Sequence, residues 1–98
     1  PLLDRDNGSK FIIGKVTSNN TINLKDRIIN IDTSSLAIND VVVIAYPNSM
    51  LGNGKLINTY KLCTYKDLSI NENDEIIKFD DDSLIGNNFF SWEGNDND

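Results

Sequence analysis

The sequence contains no histidine and only one cysteine, Cys63. Histidine is the commonest general base and the commonest metal ligand, so its absence excludes a cysteine–histidine nucleophile and the usual zinc sites. A single cysteine cannot form a disulfide within the chain, which favours a reducing compartment. Because Cys63 falls in a predicted strand, we interpret it as a small buried apolar residue. We therefore predict a protein that is not an enzyme, with no catalytic residue, metal site or cofactor.

The chain also lacks any run close to the ~20 apolar residues that a membrane-spanning helix needs. Leu51–Lys55 contains two glycines and a lysine, but not the spacing of a phosphate-binding loop. Asp80–Asp82 lacks the alternating ligands and the glycine of a calcium-binding loop, so we interpret it as a solvated acidic stretch. These absences predict no membrane partner and no small-molecule substrate.

Charge is divided unevenly along the chain. Residues 1–71 carry eight basic and six acidic side chains, whereas residues 72–98 carry nine acidic side chains and one basic one, Lys78. An asymmetry of this kind is typical of an interaction tail or a solvated extension. The body is therefore close to neutral, and the C-terminal part carries the negative charge.

Short segments of alternating apolar residues predict an all-β fold. The candidate strands are Lys10–Ser18, Thr21–Leu24, Arg27–Ile31, Asp40–Ala45 and Lys55–Thr64. The first three are separated by tight-turn signals and predict a β-meander. Four successive aliphatic residues in the fourth predict burial on both faces of the sheet. We predict a five-stranded OB-like or SH3-like barrel over residues 10–65, an N-terminal arm over 1–9 and an extended acidic tail over 66–98.

The predicted tail carries apolar and aromatic residues that suit docking into a partner: Leu84, Ile85, Phe89, Phe90 and Trp92. Aromatic side chains dominate the energetics of protein interfaces. The same residues could instead fold back and cover an open end of the barrel, and the sequence leaves both arrangements open. Leu2 and Leu3 are the corresponding docking candidates in the arm. A self-sufficient barrel implies that deleting residues 72–98 leaves a folded domain.

Three stretches of the body resemble a known group of domains. They are Gly14-Lys15-Val16-Thr17-Ser18, the segment Ile22–Ile31, and Leu36–Asn48 (LAINDVVVIAYPN). Small OB-type domains of phage tail and baseplate proteins from Gram-positive hosts show a similar run of G-x-V-x-S, a short hairpin, L-x-V-G-D-x-V-x-V and a P-N-G-like turn. The resemblance covers about half the chain, and Asn39 stands where that pattern has glycine.

The resemblance implies a structural or adaptor protein of a phage or phage-tail-like particle. Its partners would be other structural proteins, in multiple copies, bound through sheet edges and extended termini. It would reside in the virion, or in the bacterial cytoplasm during assembly. A thin core with apolar segments at both ends agrees with this expectation, because such a chain gains stability by assembling.

Binding of single-stranded nucleic acid is the alternative function. OB-folds often bind single strands through a basic groove with exposed aromatic rings. The candidate contacts are Lys15, Lys55, Lys61 and Tyr46. Because the body has only a small excess of positive charge, we rank nucleic-acid binding second to protein binding. In this alternative the acidic tail would recruit partner proteins.

Overall fold

The computed structural model of the chain describes residues 9–90. The predicted contact residues Leu2, Leu3 and Trp92 lie outside the described residues. Residues 9–90 form six β-strands and one 3₁₀ turn: β1 Phe11–Ser18, β2 Thr21–Asn23, β3 Ile28–Asn30, β4 Val41–Ala45, β5 Lys61–Leu62, β6 Lys78–Phe79 and the 3₁₀ helix Asp82–Leu84. The prediction of an all-β fold is confirmed.

The strands form one antiparallel sheet in the order β3-β2-β1-β4-β5, and β6 also pairs with β4. β1 pairs with all five residues of β4, from Val41 to Ala45. On the other edge of β4, β5 pairs with its last two residues and β6 with its first two. Ile29 of β3 and Leu62 of β5 pack in one apolar cluster, so the sheet curls into a partial barrel. Within residues 9–90 no strand pairing joins β3 to β5.

β4 is buried on both faces, as its aliphatic run predicts. Since side chains alternate along a strand, its residues are divided between two apolar clusters. We call the first the meander core, and it contains Val16, Ile22, Leu24, Ile29, Val42, Ile44 and Tyr46. We call the second the tail core, and it contains Phe11, Ile13, Val41, Val43, Ala45, Leu51, Ile57, Cys63, Leu68, Ile77 and Phe89.

Gly14 allows the meander core to close tightly over β1. It pairs regularly with Val42, and its missing side chain leaves room for two neighbours. A Cβ atom there would lie 2.6 Å from Cδ2 of Leu24 and 2.8 Å from Cγ2 of Ile22. Real Cβ atoms do not approach other atoms so closely, so the packing of β2 over β1 depends on glycine.

Residues 66–90, which the sequence predicts as part of an extended tail, are folded onto the sheet. Leu68, Ile77 and Phe89 are 3%, 3% and 5% exposed and complete the tail core. The amide of Gly86 donates to the carbonyl of Ile13 at 2.8 Å. Of the two arrangements left open by the sequence, the part of the tail that ends at Phe90 has the folded-back one. The physical reason is that β1 and β4 leave an apolar face that these residues help to cover.

The strand predicted over Lys55–Thr64 is shorter in the structure, where β5 contains only Lys61–Leu62. Ile57 instead turns back to exchange backbone hydrogen bonds with the preceding loop: its amide donates to Ser49 and its carbonyl accepts from Asn48. Ile57 thereby enters the tail core, while Leu56 is 60% exposed. The backbone pairing of Ile57 with the preceding loop thus takes the place of the long strand that the alternating sequence predicts.

Candidate functional site

A pocket of about 250 Å³ opens beside the end of β4. Four separate stretches of the chain form its walls, and we call it the Tyr46 pocket. Its lining residues are Lys10, Ile12, Leu24, Lys25, Asp26, Tyr46, Gly86 and Asn88. The apolar lining residues are buried or half-buried, whereas the charged ones are exposed. The pocket therefore has an apolar floor and a charged rim.

The turn between β2 and β3 places charged side chains on this rim. The amide of Leu24 donates to the carbonyl of Arg27 at 2.8 Å, which closes the turn. Lys25 has a φ of 77°, a left-handed conformation that is uncommon outside glycine. The side chain of Asn23 stabilises it by accepting a hydrogen bond from the Lys25 amide at 2.9 Å. This turn presents Lys25 and Asp26 to the pocket.

Gly86, on the opposite wall, allows the Lys25 side chain to approach closely because it has no side chain of its own. A Cβ atom at Gly86 would lie 2.7 Å from Cδ and 2.8 Å from Cβ of Lys25. Gly86 also has a φ of 91°, where other residues are strained. The aliphatic part of Lys25 therefore crosses the folded-back segment at close range.

Tyr46 forms the centre of the site. Its hydroxyl donates to Oδ1 of Asp26 at 3.0 Å, and its ring makes an edge contact with Tyr60 at 5.2 Å between centroids. The guanidinium of Arg27 lies 4.8 Å from the ring centroid and Nζ of Lys10 lies 5.9 Å from it. Both distances are in the range of cation–π attraction. The ring therefore brings together a cation that precedes β1 and a cation from the turn between β2 and β3.

Burial, together with the hydrogen bond to Asp26, raises the pKa of Tyr46 to about 12. The phenol therefore stays protonated at neutral pH and acts as a fixed donor. Asp26 receives this hydrogen bond on one oxygen, and its other oxygen lies 3.4 Å from Nε of Arg27. Both oxygens of the Asp26 carboxylate thus have partners inside the site.

Lys10 and Lys25 are the cations of the pocket that remain without a carboxylate. Neither forms a salt bridge with any of residues 9–90. Outside the pocket Lys15, Lys61 and Lys78 each pair with an aspartate, at distances from 2.8 to 3.4 Å. The pocket can therefore bind an anionic group above an apolar floor.

The predicted nucleic-acid contacts are dispersed. Lys15 lines a polar pocket and pairs with Asp82 at 3.3 Å. Lys55 and Lys61 line a different groove together with Tyr60. Tyr46 lies in the site described above, but it is only 5% exposed, so its ring offers no open surface for stacking on a base. The structure therefore does not bring these four residues together.

The predicted docking residues of the tail lie against the sheet. Phe89 is buried in the tail core, and Leu84, Ile85 and Phe90 are partly buried against it. The ring of Phe90 makes an edge contact with that of Phe11 at 5.2 Å between centroids. In this arrangement their apolar surface contributes to the chain's own packing.

Sequence reasoning missed Lys10, Lys25, Asp26 and Arg27. Strand register is the signal that could have found Lys10: β1 runs antiparallel to β4, with Phe11 opposite Ala45. The next residues outward then face each other, and the amide of Tyr46 does donate to the carbonyl of Lys10 at 2.9 Å. Register can be anticipated only after the pairing of distant strands is known.

The described part of the chain contains no cluster of three histidine, cysteine, aspartate or glutamate side chains suited to a metal ion. Cys63 is fully buried, and burial raises the pKa of its thiol to about 12. It is therefore protonated and inaccessible. Residues 9–90 also contain no helix with the length and apolar character needed to cross a membrane.

The fold defines a small all-β protein built on a curled antiparallel sheet. The chain matches no protein-family model, no curated protein and no solved structure.

Proposed function

We propose that this chain is a structural or adaptor subunit that binds neighbouring proteins of an assembly, and that an acidic, partly apolar stretch of a neighbour occupies the Tyr46 pocket. The observation that carries the proposal is the pair Lys10 and Lys25, which have no carboxylate partner among residues 9–90 and stand above an apolar floor. The phage or phage-tail-like particle implied by the sequence resemblance is the assembly that we propose.

The chemistry of the pocket supports a peptide with acidic and apolar side chains. Apolar contact with the half-buried Ile12 provides affinity, whereas charge pairing fixes orientation and steers association. The Tyr46 hydroxyl and Arg27 both contact Asp26, so the one acidic side chain of the rim has partners other than the two lysines. Such a preorganised site loses little conformational entropy on binding.

Several strand edges of the sheet are already paired within the chain, which limits where a neighbour could add a strand. β5 and β6 cover the free edge of β4, and the backbone of Gly86 and Asn87 pairs with Ile13 of β1. β3 pairs only with β2 within the described residues, and Ile28 on it is 68% exposed. An edge strand of this kind is where strand addition by a neighbour would occur.

We further propose that the partial barrel is of the OB type. Its order β3-β2-β1-β4-β5, open between the two outer strands, supports this assignment, because OB-folds are five-stranded, partly open barrels. Single-strand binding through Lys15, Lys55, Lys61 and Tyr46 is the alternative, and it receives less support. Lys15 and Lys61 pair with aspartates, and the Tyr46 ring is covered.

Fluorescence anisotropy tests the proposal with a labelled octapeptide of alternating aspartate and leucine. We expect salt-sensitive binding that Lys10→Glu/Lys25→Glu weakens by about tenfold, since each lost surface ion pair contributes up to about 1 kcal/mol. Lys55→Glu/Lys66→Glu is the matched control, because it makes the same charge change away from the pocket and should leave binding intact.

An equal loss of peptide binding in both double variants would show non-specific attraction and contradict the proposed site. A labelled oligothymidine serves as the second probe. Its binding at low salt, with loss in Lys15→Glu, Lys55→Glu and Lys61→Glu, would establish the nucleic-acid alternative instead.

A further inference from the structure

We infer that the occupant of the Tyr46 pocket is the acidic segment of residues 91–98 from a second copy of this chain, an inference that rests on the proposed function. The segment reads S-W-E-G-N-D-N-D and carries three carboxylates, Glu93, Asp96 and Asp98, with no basic residue. Its charge is opposite to that of Lys10 and Lys25, and Trp92 supplies an apolar group beside its carboxylates.

Other acidic stretches of the chain are less suited to this role. In the Asp80–Asp82 cluster, Asp82 pairs with Lys15 at 3.3 Å, and the Asp81 carboxylate accepts a hydrogen bond from the Ser83 amide at 2.9 Å. The acidic residues of the 72–75 loop have no aromatic neighbour in sequence. Residues 91–98 alone combine several carboxylates with an adjacent tryptophan.

The geometry of the folded-back segment favours a second copy over the same chain. Phe90 packs against Phe11, whose side chain lies in the tail core. Ile12, which lines the pocket, is on the opposite face of β1 because successive side chains of a strand alternate. Although Asn88 borders the pocket, the two phenylalanines after it turn toward the other face. A neighbouring molecule reaches the pocket without crossing this edge.

Contact between the acidic segment of one copy and the pocket of the next uses two different surfaces. Such a heterologous contact repeats from copy to copy and produces a ring or an open filament, depending on the rotation at each step. Growth by this contact agrees with the proposed role as a subunit of an assembly.

A charge-swap experiment on the full chain tests this inference by sedimentation velocity. The pocket variant is Lys10→Glu/Lys25→Glu, and the segment variant is Glu93→Lys/Asp96→Lys/Asp98→Lys. We expect the parent chain to self-associate at low salt and each variant alone to associate about tenfold more weakly. Mixing the two variants should restore association, because each then supplies the charge that the other lacks.

The matched control is Glu72→Lys/Asp74→Lys/Glu75→Lys, which makes the same charge change in the exposed 71–75 loop. It should self-associate like the parent, because its pocket and its 91–98 segment are both unchanged. Thermal melts of every variant, together with the milder Lys10→Gln/Lys25→Gln, separate loss of contact from loss of folding.

A monomeric parent chain, or a segment variant that associates as the parent does, would overturn the inference. If the parent is monomeric and the segment variant binds the aspartate–leucine peptide more tightly than the parent, the segment occupies its own pocket and the second copy is excluded. If the peptide binds but the charge swap restores nothing, the pocket function stands and the partner is another protein. If the peptide does not bind, the proposed function fails as well.

Discussion

The two apolar cores of this protein differ in how far apart along the chain their residues lie. The meander core is closed mainly by strands that follow one another between Phe11 and Tyr46. The tail core places Phe11 and Ile13 against Leu68, Ile77 and Phe89, which are more than 50 residues away in sequence. The curl of the sheet itself thus covers the meander core. The tail core is complete only when the folded-back segment, residues 66–90, packs on the other face. The Tyr46 pocket lies where these two constructions meet, since Gly86 and Asn88 form one wall.

Replacing Phe89 by alanine removes a large side chain from the tail core. Phe89 is 5% exposed, so the cavity should cost about 3–5 kcal/mol of unfolding free energy. Urea unfolding followed by circular dichroism measures this cost. Leu56→Ala, at a position that is 60% exposed, is the control and should cost less than about 0.5 kcal/mol. A cost at Phe89 as small as the cost at Leu56 would contradict the packing of Phe89 in the tail core.

In the meander core, Gly14→Ala inserts a methyl group against Leu24 and Ile22. The distances of 2.6 and 2.8 Å predict overpacking that costs about 1–3 kcal/mol. A double-mutant cycle with Leu24→Ala should show coupling, because the smaller side chain vacates the space that the new methyl needs. Strict additivity in the cycle would contradict the close approach of β2 to β1.

At the junction of the two cores, Tyr46→Phe removes the donor that holds Asp26. The loss should be about 1 kcal/mol, the usual value of one hydrogen bond. Absorbance titration of the parent should show one tyrosine with a pKa of about 12, and Tyr46→Phe should lack it. Because the folded pKa is raised, the stability from this group is complete below pH ~10 and declines as the pH rises toward 12. A titration unchanged by Tyr46→Phe would refute the assignment.

Asp67, near the start of the folded-back segment, accepts a hydrogen bond from Lys61 of β5. Burial alone would raise its pKa, but hydrogen bonds from Lys61 and Thr64 outweigh that effect and lower it. The stability that Asp67 contributes is therefore present above the unfolded pKa of ~3.9 and is lost as the pH falls through the lower folded value. Asp67→Asn should flatten this acid dependence by less than about 1 kcal/mol, since its partner Lys61 is 40% exposed and solvent screens the pair.

Asp74→Asn, in the exposed 71–75 loop, is the control for that measurement and should leave the acid unfolding curve unchanged. The same shift in both variants would mean that general charge repulsion, rather than the contacts of Asp67, determines the acid response.

The contrast between the cores also explains what the sequence could predict. β1, β2, β3 and β4 are marked by local alternation, by turn residues such as Asn20 with a φ of 62°, and by an uninterrupted aliphatic run. The alternation predicts too long a strand around β5, because Ile57 obeys the alternation but pairs with its own loop. Leu68, Ile77 and Phe89 show no local period, so only the exposed face of the folded sheet reveals their role.

The same reasoning applies to the candidate site. Tyr46 stands out in the sequence as an aromatic residue at a strand end, but Lys10, Lys25 and Arg27 approach it only through strand register and a left-handed turn. Lysines that appear equivalent in sequence therefore differ in the structure: Lys15 and Lys61 are neutralised by aspartates, whereas Lys10 and Lys25 are not paired with any carboxylate among residues 9–90.

Urea unfolding of two truncated chains, one ending at residue 71 and one at residue 90, tests most directly whether residues 72–90 belong to the fold. The self-sufficient barrel suggested by sequence would survive both deletions. The structure predicts that the chain ending at residue 90 unfolds cooperatively, because it retains β6, Ile77 and Phe89. The chain ending at residue 71 should show no cooperative transition. A cooperative transition of equal midpoint in both chains would contradict the account, and with it the wall that Gly86 and Asn88 give to the Tyr46 pocket.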